Sequence, residues 1–422
     1  MCLLIKLKIF CILLFIQFLI HVGKTNPLST GDKIYSVVID AGSTGSRVVA
    51  YEFERHGNKL KLLREQFNKT RPGLSSYAQN PDEGAKSIMQ LIDNIQDFVP
   101  AYLKPKTKLF LRATAGLRLL GNDTAKLLLD KVQEQFRTTD YMVEDHAAGM
   151  LSGSDEGMFS WFTVNYLKDT LDNSKTYAAL EMGGGSAQVT YIPKDNYKND
   201  LKEDIHDVPY NNLQVFSKSY LGLGINAARD AMFREDVQGD FKPGQTVISK
   251  CINPKVDFFP FEFNNTKYLV SGNKQSRKRV KTQQCLSHAQ KYVKEKVKPQ
   301  PLGLSEEQSV ALSAFYYRGN ASKLIVGEGG NTTLGEIWKK AEEECAMVQI
   351  KDPKDPFLCM DLIYIYTLLK DGFGLKDCNR IEMILKLDNH ELSWALGFAY
   401  SELVKQYNLS KNIDSENQIE KK

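Results

Sequence analysis

The sequence predicts an α/β protein built from two related lobes, with its site in the cleft between them. Three observations predict it. A β-branched strand, an acidic residue, a turn of small residues and a second strand occur in that order twice, with Asp40 aligning on Glu181, 141 residues apart. Stretches of helical apolar spacing lie between the strands, which is the alternation of an α/β fold. The chain has 422 residues, 42% apolar and 25% charged, enough for two ordinary domains and unlike a disordered or fibrous chain.

The first repeat begins at Ile34 to Ile39, a short run that reads as a buried strand. It ends in Asp40-Ala-Gly-Ser-Thr-Gly-Ser46, and Arg47 to Phe53 alternates as a second strand, so the turn joins a hairpin. Asp82 to Phe98 has Ile88, Leu91, Ile92 and Ile95 on one helical face. Leu109 to Leu111 is a further strand, and Asp123 to Phe136 a further helix. The second repeat begins at the strand Tyr177 to Met182 and passes through Glu181-Met-Gly-Gly-Gly-Ser-Ala-Gln188 to the strand Val189 to Ile192. Gly42 then falls on Gly183 and Val48 on Val189, which suggests two related lobes with one phosphate loop each. Residues 195 to 301 are mixed and loop-rich, and the basic run from Lys274 to Lys281 reads as a solvated loop. Helical patterning returns from Ser305, at Gly335 to Glu344, from Asp361 to Lys370, and from Glu391 to Tyr407. The lobes are expected over residues 33–160 and 161–392, with a C-terminal helix over 393–410 returning to the first lobe and a polar tail over 411–422.

The N-terminus reads as a secretory signal peptide over residues 1–24. Lys6 and Lys8 precede an apolar run from Ile9 to Ile20, which is short for a membrane span. Retention of that segment as an anchor is the alternative, and the only expected route to a membrane. Six N-x-Ser/Thr sequons, at Asn68, Asn122, Asn264, Asn320, Asn331 and Asn408, agree with a lumenal or secreted glycoprotein. A net charge of +4 gives no case for nucleic acid. Two cysteines fall in the signal, and the other five lack the close paired spacing of a zinc site. In an oxidising compartment the simplest pairing is Cys251–Cys285 and Cys345–Cys359 with Cys378 left over, although spacing alone does not establish that connectivity.

The chemistry is read from the two hairpins. Phosphate needs several donors close together, and glycine lets backbone N–H groups approach it. Ser43, Thr44, Ser46 and Ser186 add hydroxyls. Asp40 and Glu181 open the two loops and could hold Mg²⁺ or Ca²⁺, directly or through water. Glu156, in Gly153-Ser-Asp-Glu-Gly157 at the start of a helix, suits a general base that activates water. The plainer alternative is that Asp155 or Glu156 only favours the positive end of that helix.

At this point the motifs resemble a family, the apyrases or nucleoside triphosphate diphosphohydrolases. Five ordered motifs match: Ile39 to Arg47, Ala113 to Leu120, Gly153 to Leu167, Ala179 to Tyr191 and Ser393 to Gly397. The resemblance implies two actin-like (ribonuclease H-like) lobes. It implies Glu156 as catalytic base, Ser186 and Gln188 holding the attacking water, and Thr114 beside the terminal phosphate. It places phosphate contacts at Ser43, Thr44 and Gly45 and along Gly183, Gly184, Gly185, Ser186 and Ala187. It places hydrated metal on Asp40 and Glu181, and base stacking at Tyr316 and Tyr317, whose plainer alternative is helix packing. The implied reaction is direct attack of water on the terminal phosphate of a nucleoside di- or triphosphate, without a phosphoenzyme. The family usually carries aspartate where this chain has Glu181, which opens the metal preference. Gly45, Arg47, Phe357 to Asp361, Lys370 to Gly374 and the four paired cysteines resemble the soluble branch, which tends to prefer UDP and GDP. A broad ATP/ADP apyrase, an actin-like kinase and a non-catalytic nucleotide-binding protein are the competing readings. A monomer is expected, in the endoplasmic reticulum or Golgi lumen or outside the cell.

Overall fold

A computed structural model describes residues 31–171, 175–208, 213–237, 239–275 and 279–407. The signal segment, the Asn408 sequon and the polar tail lie outside the described residues, as does the middle of the basic run.

The first sheet has five strands in the order β3-β2-β1-β4-β5, with β1 at Lys33–Ala41, β2 at Ser46–His56, β3 at Lys59–Thr70, β4 at Leu109–Ala113 and β5 at Ala148–Met150. β1 pairs antiparallel with β2 and parallel with β4. Every β1 residue after Lys33 is buried, so both faces of this strand are covered. The period of two decides what covers each face. Tyr35, Val37, Ile39 and Ala41 join the core under the helices Pro81–Asp93 and Asn122–Phe136. Ile34 and Val38 join a different core, shared with the helices Gly153–Leu167 and Trp394–Gln406.

The second sheet has seven strands, and its central five repeat the pattern of the first. β6 at Ala178–Met182 and β7 at Ser186–Tyr191 form the antiparallel hairpin. β8 (Ile205–Asp207) and β9 (Gln214–Leu221) extend it on one side. A separate three-stranded sheet follows, of β10 (Thr246–Ser249), β11 (Phe259–Phe263) and β12 (Thr266–Gly272). β13 at Ser309–Ser313 then inserts parallel to β6. β14 (Gly329–Thr333) and β15 (Arg380–Ile384) complete the order β14-β15-β13-β6-β7-β9-β8. The helix expected from Ser305 is therefore corrected: only Leu304–Glu306 is a helical turn, Ser309–Ser313 is a strand, and Ala314–Ala321 is the helix. The Val-Ala-Leu core of that strand is too short to carry a period of its own.

The two hairpins repeat in register as well as in sequence. Ala41 pairs with Ser46 and Met182 with Ala187, and each turn closes on one 3.0 Å backbone bond, Gly42 N–H to Gly45 O and Gly183 N–H to Ser186 O.

Two helices form a layer between the sheets. The Gly153–Leu167 helix packs on β6, β7 and β9, while the Trp394–Gln406 helix packs on β1 and β2. Each helix follows the last strand of one lobe's sheet and lies on the other lobe. The expected boundary at 160/161 falls inside the first of these helices, which has no break there. Gly157 lets it lie flat on the second sheet, because a Cβ there would come within 2.6 Å of Thr190 Oγ1 and 2.8 Å of Ser217 Oγ. Thr163 joins the two helices, donating to Ser393 O at 2.8 Å and accepting from Gly397 N–H at 3.0 Å. Both expected disulfides form, Cys251–Cys285 and Cys345–Cys359, and Cys378 is free and exposed. Among the described residues no helix is long and apolar enough to cross a membrane.

Candidate active site

Glu156 sits in the first turn of the Gly153–Leu167 helix. Asp155 makes the cap bonds there: its N–H donates to Ser152 Oγ at 3.0 Å, and its carboxylate accepts from that hydroxyl at 2.7 Å. Glu156 faces the second hairpin instead. Its Oε2 accepts from Gln188 Nε2 at 3.0 Å and from the Arg118 guanidinium. Gln188 Nε2 is also 2.8 Å from Ser186 Oγ and 3.1 Å from Ser219 Oγ. The Arg118 guanidinium reaches the same two hydroxyls, at 3.5 and 3.4 Å. Three residues expected to act together, Glu156, Ser186 and Gln188, are thus joined in one network. Burial pushes the Glu156 carboxyl up to about 8; Arg118 opposes this, and Glu181 and Asp40 add to it. A carboxylate poised near neutral pH can take a proton from water.

The two loop acids are both buried but differently held. Asp40 Oδ2 accepts from Arg47 Nε at 2.9 Å, and Oδ1 is buried with no hydrogen-bond partner. Burial raises its pKa while Arg47 and Trp394 pull it down. Glu181 Oε2 accepts from the Ser160 hydroxyl and Oε1 from Ser313 Oγ at 3.3 Å. Burial also raises its pKa, opposed by Ser160 and Arg47. Ser313 holds a positive φ of 58°, a conformation that costs about 1–3 kcal/mol in a non-glycine residue.

These residues fit a cation held through water rather than a direct cage. Among the described residues no three His, Cys, Asp or Glu side chains meet as a ligand cluster. The orphaned Asp40 Oδ1 needs a donor, which a metal-bound water would supply. Both Glu181 oxygens already accept a hydroxyl and keep a lone pair for a second donor.

The two loops meet at their tips. A Cβ on Gly184 would lie 2.4 Å from Ser43 Oγ and 2.8 Å from Thr44 Cγ2, so glycine is needed for that approach. Gly183, Gly184 and Gly185 rest against the N-terminus of the Ile225–Glu235 helix, where Ile225 N–H donates to Gly183 O at 2.9 Å and Asn226 N–H to Gly184 O at 3.0 Å. The Ala187 side chain turns away into the core of the second lobe, which leaves only its backbone for a ligand. Thr114 is buried at the end of β4, its N–H donating to Ala41 O at 3.2 Å beside the first loop.

The tyrosine pair separates. Tyr316 is buried and donates its hydroxyl to Gly327 O at 2.8 Å, so the expectation that it stacks a base is corrected to a packing role. Tyr317 is 47% exposed, close enough to Glu391, Arg47 and Arg71 to feel their charges. Sequence reading had no role for Arg47, Arg118, Ser160, Ser219 or Ser313. Arg47, Arg118 and Ser160 stand inside three of the quoted motifs, which is the one signal that could have found them.

Compared with known proteins, the chain matches the GDA1/CD39 (nucleoside phosphatase) family over residues 27–302 and 331–416. The chain belongs to that family. It is accordingly a hydrolase, with the mixed α/β fold of two actin-like lobes. A chicken protein named ectonucleoside triphosphate diphosphohydrolase 5 is 36% identical over 388 residues, 89% of each chain. A human protein named nucleoside diphosphate phosphatase ENTPD5 is 33% identical over 87% of each chain. Mouse ectonucleoside triphosphate diphosphohydrolase 6 is 34% identical over 88% of this chain and 83% of its own. Among solved structures, a nucleoside triphosphate hydrolase from Neospora caninum superposes with a TM-score of 0.61 at 11% identity, covering 97% of this chain and all of its own. An Aquifex aeolicus member of the Ppx/GppA family superposes at 0.50 and 15% identity, covering 89% and 99%. These two likenesses speak to the fold alone.

Proposed function

We propose that this family member hydrolyses the terminal phosphate of nucleoside diphosphates, UDP and GDP ahead of ADP, with Glu156 as general base. One observation carries the reading: the Glu156 carboxylate is buried and linked through Gln188 to Ser186, at the mouth of the second glycine loop. Gln188 and Ser186 hold the attacking water, and Glu156 takes its proton as it reaches phosphorus. The first loop, through Ser43, Thr44 and Gly45, and Thr114 position the phosphate. Asp40 and Glu181 hold a hydrated Ca²⁺ or Mg²⁺, which offsets charge on the phosphate. Tyr317 stacks the base, a contact that tolerates any base. The human relative's name as a diphosphate phosphatase supports diphosphates over triphosphates.

The protein works in the secretory pathway, a reading supported by the two disulfides and the exposed sequons Asn122, Asn264 and Asn331. The test is phosphate release from UDP, GDP, ADP and ATP by the purified lumenal chain, with Ca²⁺, Mg²⁺ or chelator, wild type beside Glu156→Ala. Metal-dependent release lost in the variant is expected. ATP and ADP outranking UDP and GDP would replace the diphosphatase with a broad apyrase.

A further inference from the structure

Beside the two middle helices, on a face turned away from Glu156, lies a cavity of about 260 Å³. Its lining includes Asp155, Met158 and Phe159 of one helix, Phe398, Ser401 and the Glu402–Lys405 pair of the other, and Arg112 of β4, and it is partly open to solvent. The helical spacing explains the arrangement. Positions 155, 158 and 159 share one face, while Glu156 turns about 100° away.

Arg112 is the unusual member. Its Nη1 donates to three carbonyls, Leu111 O at 3.0 Å, His146 O at 3.1 Å and Ala147 O at 2.8 Å. Its Nε and Nη2 have no acceptor, and it makes no ion pair, among the described residues. The nearby acids have other partners: Glu402 pairs with Lys405 at 2.8 Å and Glu144 with Lys108 at 2.7 Å, while Asp155 accepts from the Ser152 hydroxyl. The guanidinium lies 4.9 Å from the Phe398 ring centre and 5.2 Å from that of Phe110. Burial lowers its pKa, and the charges of Glu402 and Glu144 oppose that shift without either acid pairing with it. Ser401 is 1% exposed and its hydroxyl has no partner. A half-buried guanidinium with uncommitted Nε and Nη2 and an orphan hydroxyl beside aromatic walls are the parts of a site for an aromatic anion.

We propose that this cavity binds a small aromatic carboxylate, with the carboxylate on Arg112 and Ser401 and the ring against Phe159, Phe398 and Met158. A cavity of about 150 Å³ accepts benzene, so the volume here leaves room for a ring and its carboxylate. Because the site contacts both middle helices, its ligand ties them together and raises the melting temperature.

The probe is sodium benzoate with the full purified chain, followed by ligand-observed NMR and thermal melting, with sodium acetate at equal ionic strength as the control. Saturable benzoate binding is expected, at least about tenfold tighter than acetate and undisturbed by excess UDP. Arg112→Gln should weaken it by about tenfold. Ser401→Leu fills the cavity and should abolish binding while phosphate release stays within about twofold of wild type; it keeps the test decisive if Arg112→Gln fails to fold. No saturable binding up to about 10 mM, displacement by UDP, or unchanged affinity in Ser401→Leu would overturn the proposal.

Discussion

The two hairpins share a frame and differ in what stands across from the acid. Asp40 pairs across strands with Arg47, and Glu181 with Gln188. The parallel neighbour diverges too, with Arg112 beside Asp40 and Leu312 beside Glu181. In the first half a cation answers the carboxylate at 2.9 Å. In the second, hydroxyls answer it, and the cross-strand residue is free to reach Glu156 at 3.0 Å. The backbone repeat makes two equivalent cradles. The side chains give one of them a charged pair and the other a hydroxyl-held acid, and in the proposed mechanism the second is where water is handled. The comparison can be broken at each point.

The largest effect belongs to the base. Glu156→Gln keeps the size of the side chain and a hydrogen-bonding oxygen but cannot take a proton. Phosphate release should fall by about 10³-fold with little change in KM. A loss confined to KM would mean that Glu156 binds substrate and does not activate water.

Metal removal comes next, and its sign follows from burial. Glu156, Asp40 and Glu181 all have raised pKa values in the fold, Glu156 from the ordinary 4.5 to about 8. For Glu156 the stability that goes with the protonated form is complete below about 4.5 and is lost as pH rises through about 8, and the raised Asp40 and Glu181 add in the same direction. The metal-free protein should therefore lose stability across that window. Ca²⁺ or Mg²⁺ should restore it, raising the melting temperature by roughly 5 °C at a hundredfold excess over Kd, and by more at pH 9 than at pH 5. An equal rise at both pH values, or the same rise in Asp40→Asn, would remove the cation from this cluster.

Arg47→Gln makes the first hairpin resemble the second. It leaves Asp40 buried without its cation, and a break of this kind in a fully buried pair costs about 3–5 kcal/mol. Arg47 is a third exposed, so about 2 kcal/mol is expected, read as a lower denaturant midpoint at unchanged slope. An unchanged midpoint would show that the pair contributes nothing to stability.

The repeat itself was legible because its signals are local: an acid ending a β-branched strand, glycines at the turn, and one offset of 141 residues that the register reproduces. The Glu156 helix was legible from its glycines and apolar run. The partners were not. Arg118 is 38 residues from Glu156 and 101 from Ser219, and Ser313 is 132 from Glu181. No period or spacing links positions that only a crossover brings together. β13 was missed for a related reason: it is a central strand five residues long, and its meaning lies in pairing with β6 and β15 rather than in its own pattern. Tyr316 and Tyr317 are adjacent in sequence, and only the packing of the second lobe buries one and leaves the other exposed.

Glu181→Asp removes the last difference between the two acids and should have the smallest effect. The shorter side chain withdraws the carboxylate by roughly 1.5 Å, one C–C bond. That distance takes it away from Ser160 and Ser313, which now hold its two oxygens. Where the cation is held through water, a water can take up the gap, and turnover should stay within about tenfold of wild type. The ratio of Ca²⁺- to Mg²⁺-supported rates should change, because Mg²⁺ demands a near-ideal octahedron and Ca²⁺ tolerates irregular, larger shells. Full kinetics with each ion read both quantities together. Complete inactivity would mean that the carboxylate touches the metal or substrate directly; an unchanged ion ratio would mean that Glu181 serves the packing of the Glu156 helix, through Ser160, and not the ion.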